Sequence, residues 1–138
     1  MDEADVRTVL AHPTTMIGSD GVPASGSKPR PRLYGCFPRI LGHYVRDERV
    51  LDLPTAVHRM TGMPAAKFRL AGRGVIRAGA FADLVVFDPA RIADIATYED
   101  PRRFPDGIAA VYVNGTAVAR DGAHTGARPG RALRRGRE

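Results

Sequence analysis

The sequence predicts an α/β fold with a helical first half and a β-rich second half. In the first half, a helix, a short loop and a buried strand follow one another over residues 2–18, which is the order of an α/β unit. In the second half, Asn114-Gly115 separates two apolar runs, and this dipeptide in such a setting is the strongest short signal for a β-hairpin. The 138 residues, 43% hydrophobic and 26% charged, have the composition of one globular domain.

The first half is predicted to hold one strand and two or three further helices after the first. Residues 2–12 carry Val6, Val9 and Leu10 at helical spacing, with acidic side chains in the first turn. Residues 14–18 are β-branched and apolar, which predicts a buried strand. A loop over residues 21–31 follows. The other predicted helices cover residues 37–47, residues 53–61 after the N-cap Asp52 and, as a short helix, residues 64–70.

The second half is predicted to be a small antiparallel β module. A short strand is expected over residues 74–76. Residues 83–87 are apolar in sequence and predict a strand buried on both faces. Residues 90–107 are rich in proline and charge, so we expect a loop there. The hairpin strands cover residues 111–113 and 117–119.

Composition excludes several classes of protein. Cys36 is the single cysteine, so no internal disulfide framework exists, and this fits a reducing compartment. The first five residues are acidic and lack the apolar segment of a signal or transit peptide. No apolar run is long enough to span a membrane. We therefore expect a cytoplasmic protein with no membrane partner.

The positive charge is concentrated at the end of the chain. The net charge is +6, and residues 128–138 hold five arginines and one glutamate, so four of the six net charges lie there. A basic tail of this kind can contact nucleic acid through phosphates. The tail has no aromatic side chains to stack on bases, and the simpler interpretation is a solvated terminus. Nucleic acid is therefore not the expected partner.

Asp20 is the best candidate for a catalytic group. It follows the predicted strand 14–18, and a carboxylate at the carboxyl end of such a strand is a common place for a general base. Gly18 and Gly21 on either side allow a ligand to approach closely. The alternative is an ordinary Asp-Gly turn, and local sequence does not separate the two.

The other reactive side chains have plain alternatives. Arg30, Arg32 and Arg39 could clamp an acidic substrate or lie solvated on the surface. Cys36 lies in an apolar stretch without a catalytic signature, which favours an inert thiol. The four histidines show no metal-ligand spacing, with each other or with Cys36, so no metal ligand is assigned in this chain.

Several motifs together resemble the C-terminal region of the N-acyl-D-amino-acid deacylases, in the metal-dependent amidohydrolase superfamily. The resemblance covers nearly the whole chain. The run Gly-Ala-Phe-Ala-Asp-Leu-Val-Val-Phe-Asp at residues 79–88 is similar to a segment of the superfamily in general. The motifs similar to the D-aminoacylase branch are Met-Ile-Gly-Ser-Asp-Gly at 16–21, Pro-Arg-Leu-Tyr-Gly at 31–35, Met-Thr-Gly-Met-Pro-Ala at 60–65 and Thr-Gly-Ala-Arg-Pro-Gly at 125–130.

The resemblance implies a fold, a cofactor and two site residues. Members of this family form a (β/α)8 barrel with a small β-sandwich, and zinc lies at the carboxyl ends of the barrel strands. The aspartate of the last strand is the general base that acts on a zinc-activated water, and Asp20 matches it. Arg32 matches the position expected to contact the substrate carboxylate. The implied substrate is an N-acyl-D-amino acid.

The chain departs from that family in length and in metal ligands. A complete barrel needs about 250 residues, and the family's zinc-binding histidines and cysteine have no counterparts here. The expected fold is therefore the last β/α portion of the barrel over residues 1–71, part of the β-sandwich over 72–127 and a basic tail over 128–138. We expect this chain alone to be inactive. A separate chain supplying the zinc ligands, or a non-catalytic remnant that pairs with another polypeptide, are the alternatives.

Overall fold

The computed structural model describes residues 2–22 and 28–134, and in these ranges helices precede a β-sheet. Five helical segments come first: α1 (Glu3–Ala11), α2 (Arg32–Arg39), a π-helix (Ile40–Asp47), α3 (Leu53–Met60) and α4 (Gly62–Phe68). The strands are β1 (Leu84–Phe87), β2 (Ile108–Val113), β3 (Thr116–Arg120) and β4 (Ala123–His124). The predicted α/β class is confirmed.

Two helices begin with an N-cap aspartate, of which the one at Asp52 was predicted from the sequence. The Asp2 side chain accepts from the backbone N–H of Asp5, and the Asp5 side chain accepts from the backbone of Asp2, which forms a capping box at α1. The Asp52 carboxylate accepts from the Thr55 N–H at 2.7 Å at the start of α3. Both carboxylates also lie at the positive end of a helix dipole.

The helix predicted over residues 37–47 is longer than expected and changes type along its length. It begins at Arg32 as α2 and continues without a break into the π-helix. Pro38 lies inside α2 and cannot donate the usual backbone hydrogen bond. In the wider π turn, the N–H of Glu48 donates to the carbonyl of His43, five residues earlier, at 2.9 Å.

Residues 14–18 do not form the predicted strand. The segment 15–18 belongs to no helix or strand, and among the described residues no strand pairs with it. Its backbone is instead fixed by the Ile17 N–H, which donates to the carbonyl of Arg59 in α3 at 3.1 Å. The apolar pattern therefore predicted the strand wrongly, because a ladder also requires a partner strand.

The helical half packs around one apolar core. Its buried members are Leu10, Ile40, Tyr44, Leu51 and Ala56. The guanidinium of Arg59, only 6% exposed, donates to the carbonyl of Leu10 at the end of α1. The last turn of α1 has no basic side chain of its own, so α3 supplies the cation that stabilises this helix end.

The sheet is antiparallel with the strand order β1-β2-β3-β4. The turn between β2 and β3 is the predicted one: Asn114 and Gly115 have φ angles of 48° and 80°, as a type I′ turn requires. The Asp83 carboxylate accepts from the Asn114 N–H at 2.8 Å and pairs with Arg73. These contacts fix the start of β1 beside the turn.

Two strand predictions were wrong in part. Residues 74–76 form no strand, and Ile76 is 91% exposed. Leu84–Phe87 is a strand, but it is not buried on both faces, since Val85 and Val86 are 55% and 50% exposed. β1 lies at an edge of the sheet, and the described residues place no second layer over these two side chains. An apolar run alone does not show what covers it.

Ile92 joins the two halves and is 1% exposed. It lies between Gly42 of the π-helix and Gly107, where an added Cβ would overlap its backbone. Arg46 reaches from the π-helix to donate to the carbonyls of Ala90 and Ile92. The predicted loop 90–107 therefore contains the main contact between helices and sheet.

The described part of the basic tail is attached to the β module. The carbonyl of Pro129 accepts from the Asn114 side chain at 2.8 Å. The Arg131 guanidinium lies 4.8 Å from the centre of the Phe81 ring, a cation–π contact. Pro129 and Arg131 are thus attached to the β module, although Arg128 and Arg131 are exposed as expected of a solvated terminus; residues 135–138 lie outside the described ranges. Within those ranges, every helix is too short or too polar to cross a membrane.

Candidate active site

Asp20 lies at the rim of a surface depression of about 250 Å³. The depression is formed by residues 20–22, which follow α1, and by residues 28–33, which lead into and begin α2. Its side chains are mainly charged. The residues that line it are Asp20, Gly21, Val22, Lys28, Pro29, Arg30, Arg32 and Leu33.

Arg32 and Asp20 are in direct contact. The Nη2 of Arg32 lies 2.6 Å from Oδ2 of Asp20, and its Nε donates to the backbone carbonyl of Asp20 at 3.1 Å. Asp20 has a left-handed backbone with φ 47°, and its side chain is 76% exposed. The two residues singled out from the sequence therefore share one site, with the carboxylate open to solvent.

The backbone around Asp20 is fixed from both sides. Before it, Ile17 is hydrogen bonded to Arg59. After it, the N–H of Gly21 donates to the Ser19 hydroxyl at 3.2 Å. A Cβ at Gly21 would lie 3.1 Å from the Leu33 side chain, so glycine allows this turn to pack against α2. These contacts hold the Asp20 turn beside the first residue of α2.

Cys36 and Arg39 do not belong to this depression. The Cys36 thiol is half-buried and lies 3.6 Å from the carbonyl of Gly18. Burial raises the pKa of the Cys36 thiol, which keeps it protonated and supports the inert interpretation. Arg39 pairs with Asp94 at 3.6 Å. Of the three arginines considered, only Arg30 and Arg32 line the depression.

Sequence spacing missed a cluster of Glu3, His43 and Glu48. Each offers one ligand atom, and these atoms lie within 4.8 Å of one another. Arg7 already binds Glu48 through two hydrogen bonds of 2.7 Å and holds the pKa of that carboxyl below its usual range. The Tyr44 hydroxyl donates to Glu3 at 2.7 Å. The cluster connects α1 to the π-helix. His43 and Glu48 lie five residues apart, and an α-helical spacing of three or four residues does not predict this pairing.

The described residues around Asp20 do not suit a zinc ion. Asp20 is the one carboxylate among the lining residues, and three cationic side chains lie around the same depression. Zinc prefers histidine, thiolate and carboxylate ligands. Glu3, His43 and Glu48 do not line the depression, so they add nothing to the chemistry at Asp20.

A sequence model of the amidohydrolase family matches residues 4–119. The chain therefore belongs to the amidohydrolase family. It is 57% identical over 135 residues to the D-aminoacylase of Alcaligenes xylosoxydans xylosoxydans, covering 98% of this chain and 28% of that protein. It is 49% identical to an N-acyl-D-aspartate deacylase of the same organism, covering 96% of this chain and 26% of the relative.

Solved structures give the same assignment. A D-aminoacylase with a binuclear metal center matches with a TM-score of 0.93 and 56% identity, over 98% of this chain and 28% of that one. An N-acyl-D-glutamate deacylase from Bordetella bronchiseptica, complexed with zinc and a phosphonate mimic of the tetrahedral intermediate, matches with a TM-score of 0.82 and 51% identity, over 86% and 25%. The chain spans about a quarter of the length of the curated relatives it matches.

Proposed function

We propose that this chain is the C-terminal part of a zinc-dependent hydrolase that removes the acyl group from N-acyl-D-amino acids. The observation that carries the proposal is the exposed Asp20 carboxylate, held by Arg32 at the edge of a charged depression. The names of the relatives, D-aminoacylase and N-acyl-D-aspartate deacylase, support the reaction class.

Asp20 acts as the general base. Its carboxylate takes a proton from the water that attacks the amide carbonyl, and a carbon–oxygen bond forms. The carbon–nitrogen bond then breaks, and Asp20 gives the proton to the leaving amine. An open, solvent-facing carboxylate permits both transfers because water and substrate can reach it. The products are a carboxylic acid and a free D-amino acid.

Arg32 binds the α-carboxylate of the substrate. A guanidinium presents several N–H donors in a planar fork that matches a carboxylate. The contacts that Arg32 makes with Asp20 use Nε and Nη2, so the N–H donors of Nη1 and the second one of Nη2 are left to bind the substrate carboxylate beside the base. This arrangement would use both residues, which lie twelve positions apart in sequence, at one site.

The zinc ligands belong to the rest of the proposed enzyme. The residues around Asp20 do not form a zinc site, and solved relatives contain metal. When bound by that other part, a zinc ion lowers the pKa of a bound water. We assign residues 1–71 to the end of the barrel, 72–127 to the small β-sandwich and 128–138 to the tail. On this account the chain alone is inactive.

A non-catalytic interaction module is the second candidate. The observation that favours it is β1, which lies at an edge of the sheet formed by the described residues and leaves Val85 and Val86 half exposed. Such an edge pairs readily with another strand. In this case the chain binds a companion polypeptide, and Asp20 has no chemical role.

Reconstitution separates the two candidates. The chain is co-expressed with the part of the Alcaligenes D-aminoacylase that it does not match, and the release of D-leucine from N-acetyl-D-leucine is measured. Hydrolysis that needs both polypeptides supports the deacylase. A stable complex without hydrolysis, equally stable with Asp20→Asn, supports the interaction module and contradicts the deacylase.

A further inference from the structure

The depression beside Asp20 is lined by three positively charged side chains and one negatively charged side chain. Lys28, Arg30 and Arg32 line it, and Asp20 is the one acidic residue among the lining side chains. Arg32 is engaged with Asp20 at 2.6 Å. The charge of Asp20 therefore offsets one of the three cations, and two cations remain at the same surface.

Lys28 and Arg30 have no carboxylate within ion-pair distance among residues 2–22 and 28–134. The ion pairs of this part of the chain involve other cations, and Arg32 is the member of the depression that forms one. Lys28 has a weaker interaction with Glu99. The pKa of Glu99 is lowered mainly by hydrogen bonds from its own backbone and from Thr97, and to a smaller extent by the charge of Lys28. A bound anion would meet two cations that have no ion-pair partner among the described residues.

We propose that Lys28 and Arg30 form a subsite for a second carboxylate, so that the preferred substrate is an N-acyl-D-amino acid with an acidic side chain. This inference rests on the proposed function. Arg32 takes the α-carboxylate, and Lys28 and Arg30 take the carboxylate of an aspartyl or glutamyl side chain. A substrate with a leucyl side chain would bring apolar surface to the same two cations and leave them without a counter-charge.

The solvent exposure of Lys28 and Arg30 determines how strongly each should favour an acidic substrate. Both cations are exposed, and exposed ion pairs contribute modestly and are screened by salt. We expect each cation to favour the acidic substrate about threefold and the preference to shrink as ionic strength rises. Attraction at longer range also raises the association rate of an anionic substrate.

The relatives include a D-aminoacylase, whose name specifies no side chain, and deacylases named for acidic substrates, at similar overall identity. The values are 57% for the D-aminoacylase and 49% for the N-acyl-D-aspartate deacylase. Overall identity averages over core residues that never touch a substrate, whereas a side-chain preference depends on the few residues at the site. The charge of the depression is therefore the more direct indicator.

The test compares two substrates in one reconstituted enzyme. The chain, co-expressed with the unmatched part of the D-aminoacylase, is assayed on N-acetyl-D-glutamate and N-acetyl-D-leucine as wild type, Lys28→Gln, Arg30→Gln and the double variant. We expect kcat/KM for the glutamate substrate to fall about tenfold in the double variant, with the leucine substrate nearly unchanged. Arg103→Gln is the control, because this exposed arginine lies outside the depression.

The outcomes separate the subsite from the reaction. If both substrates lose activity equally, or neither changes, the subsite is wrong while the deacylase stands. If neither substrate is hydrolysed, the deacylase is contradicted and the subsite fails with it. Titration of the isolated chain followed by NMR gives a second readout: N-acetyl-D-glutamate should bind several-fold more tightly than N-acetyl-D-leucine and shift Lys28 and Arg30, and equal binding overturns the proposal.

Discussion

The guanidinium of Arg32 holds Asp20 at two points, the carboxylate at 2.6 Å and the backbone carbonyl at 3.1 Å. Asp20 keeps a left-handed backbone in this contact. Aspartate tolerates that conformation better than most residues do. The pair links the turn at residues 19–21 to the start of α2. The geometry of the proposed base therefore depends on the proposed substrate-binding residue.

Asp20→Asn should remove most of the hydrolysis in the reconstituted enzyme. An amide cannot take the proton from water, so kcat should fall by about 10²- to 10⁴-fold, while binding of the companion polypeptide is unchanged. Asp121→Asn is a matched control, since Asp121 is also exposed and has φ 49°. Equal activity of the Asp20 variant and the control would contradict the role of Asp20.

Arg32→Lys should weaken substrate binding more than it slows the reaction. Lysine keeps the charge but not the fork of donors. We expect KM for an N-acetyl-D-amino acid to rise about tenfold with a smaller fall in kcat, measured by initial rates over a range of substrate concentrations. A fall in kcat at constant KM would show instead that Arg32 acts only by holding Asp20.

Gly42→Ala should weaken the contact between the helical half and the β module and so lower the stability of the fold. A Cβ at this position would overlap the carbonyl of Ile92. Overpacking of this kind costs about 1–3 kcal/mol, measurable as a fall in the free energy of unfolding in urea. Gly18→Ala is the control, because a Cβ there has no neighbour within 4 Å. Equal stability of the two variants would show that the Ile92 contact does not hold the halves together.

The Arg7–Glu48 pair should make stability depend on acid. Arg7 lowers the pKa of Glu48 in the folded chain, so the pair stabilises the fold above the pKa of an unfolded glutamate, about 4.3. That stabilisation is lost as the pH falls through the lower folded pKa. Glu48→Gln should be less stable than wild type at pH 7 and equally stable near pH 2, by denaturant unfolding. A difference of the same size at both pH values would contradict this.

Local signals in the sequence predicted local structure well. Asp2 and Asp52 begin helices, and Asn114-Gly115 forms the hairpin turn, because each depends on side chains a few residues apart. Residues 14–18 and 74–76 failed as strands because pairing depends on residues far away in sequence. The exposure of Val85 was missed for a similar reason, since burial depends on what lies above the sheet.

The candidate site was predicted in part. Asp20 and Arg32 were named from the motifs, and the structure places them in contact; their chemical roles remain predictions. Arg30 was already considered as a clamp for an acidic substrate, whereas Lys28 was not found, because a loop has no periodicity that shows which side chains converge. The π-helix, which places His43 beside Glu48, was also not predicted, because the apolar spacing of residues 37–47 is that of an ordinary helix.

The most direct test of the account is the rate at which the reconstituted enzyme hydrolyses the D and L forms of one N-acetyl-amino acid. We predict hydrolysis of the D form in preference to the L form, and this hydrolysis should require both polypeptides, be lost with Asp20→Asn and be kept with Asp121→Asn. Hydrolysis at the same rate with Asp20→Asn, or no hydrolysis from a well-assembled complex, would contradict the assignment of Asp20 as the base of a D-amino-acid deacylase.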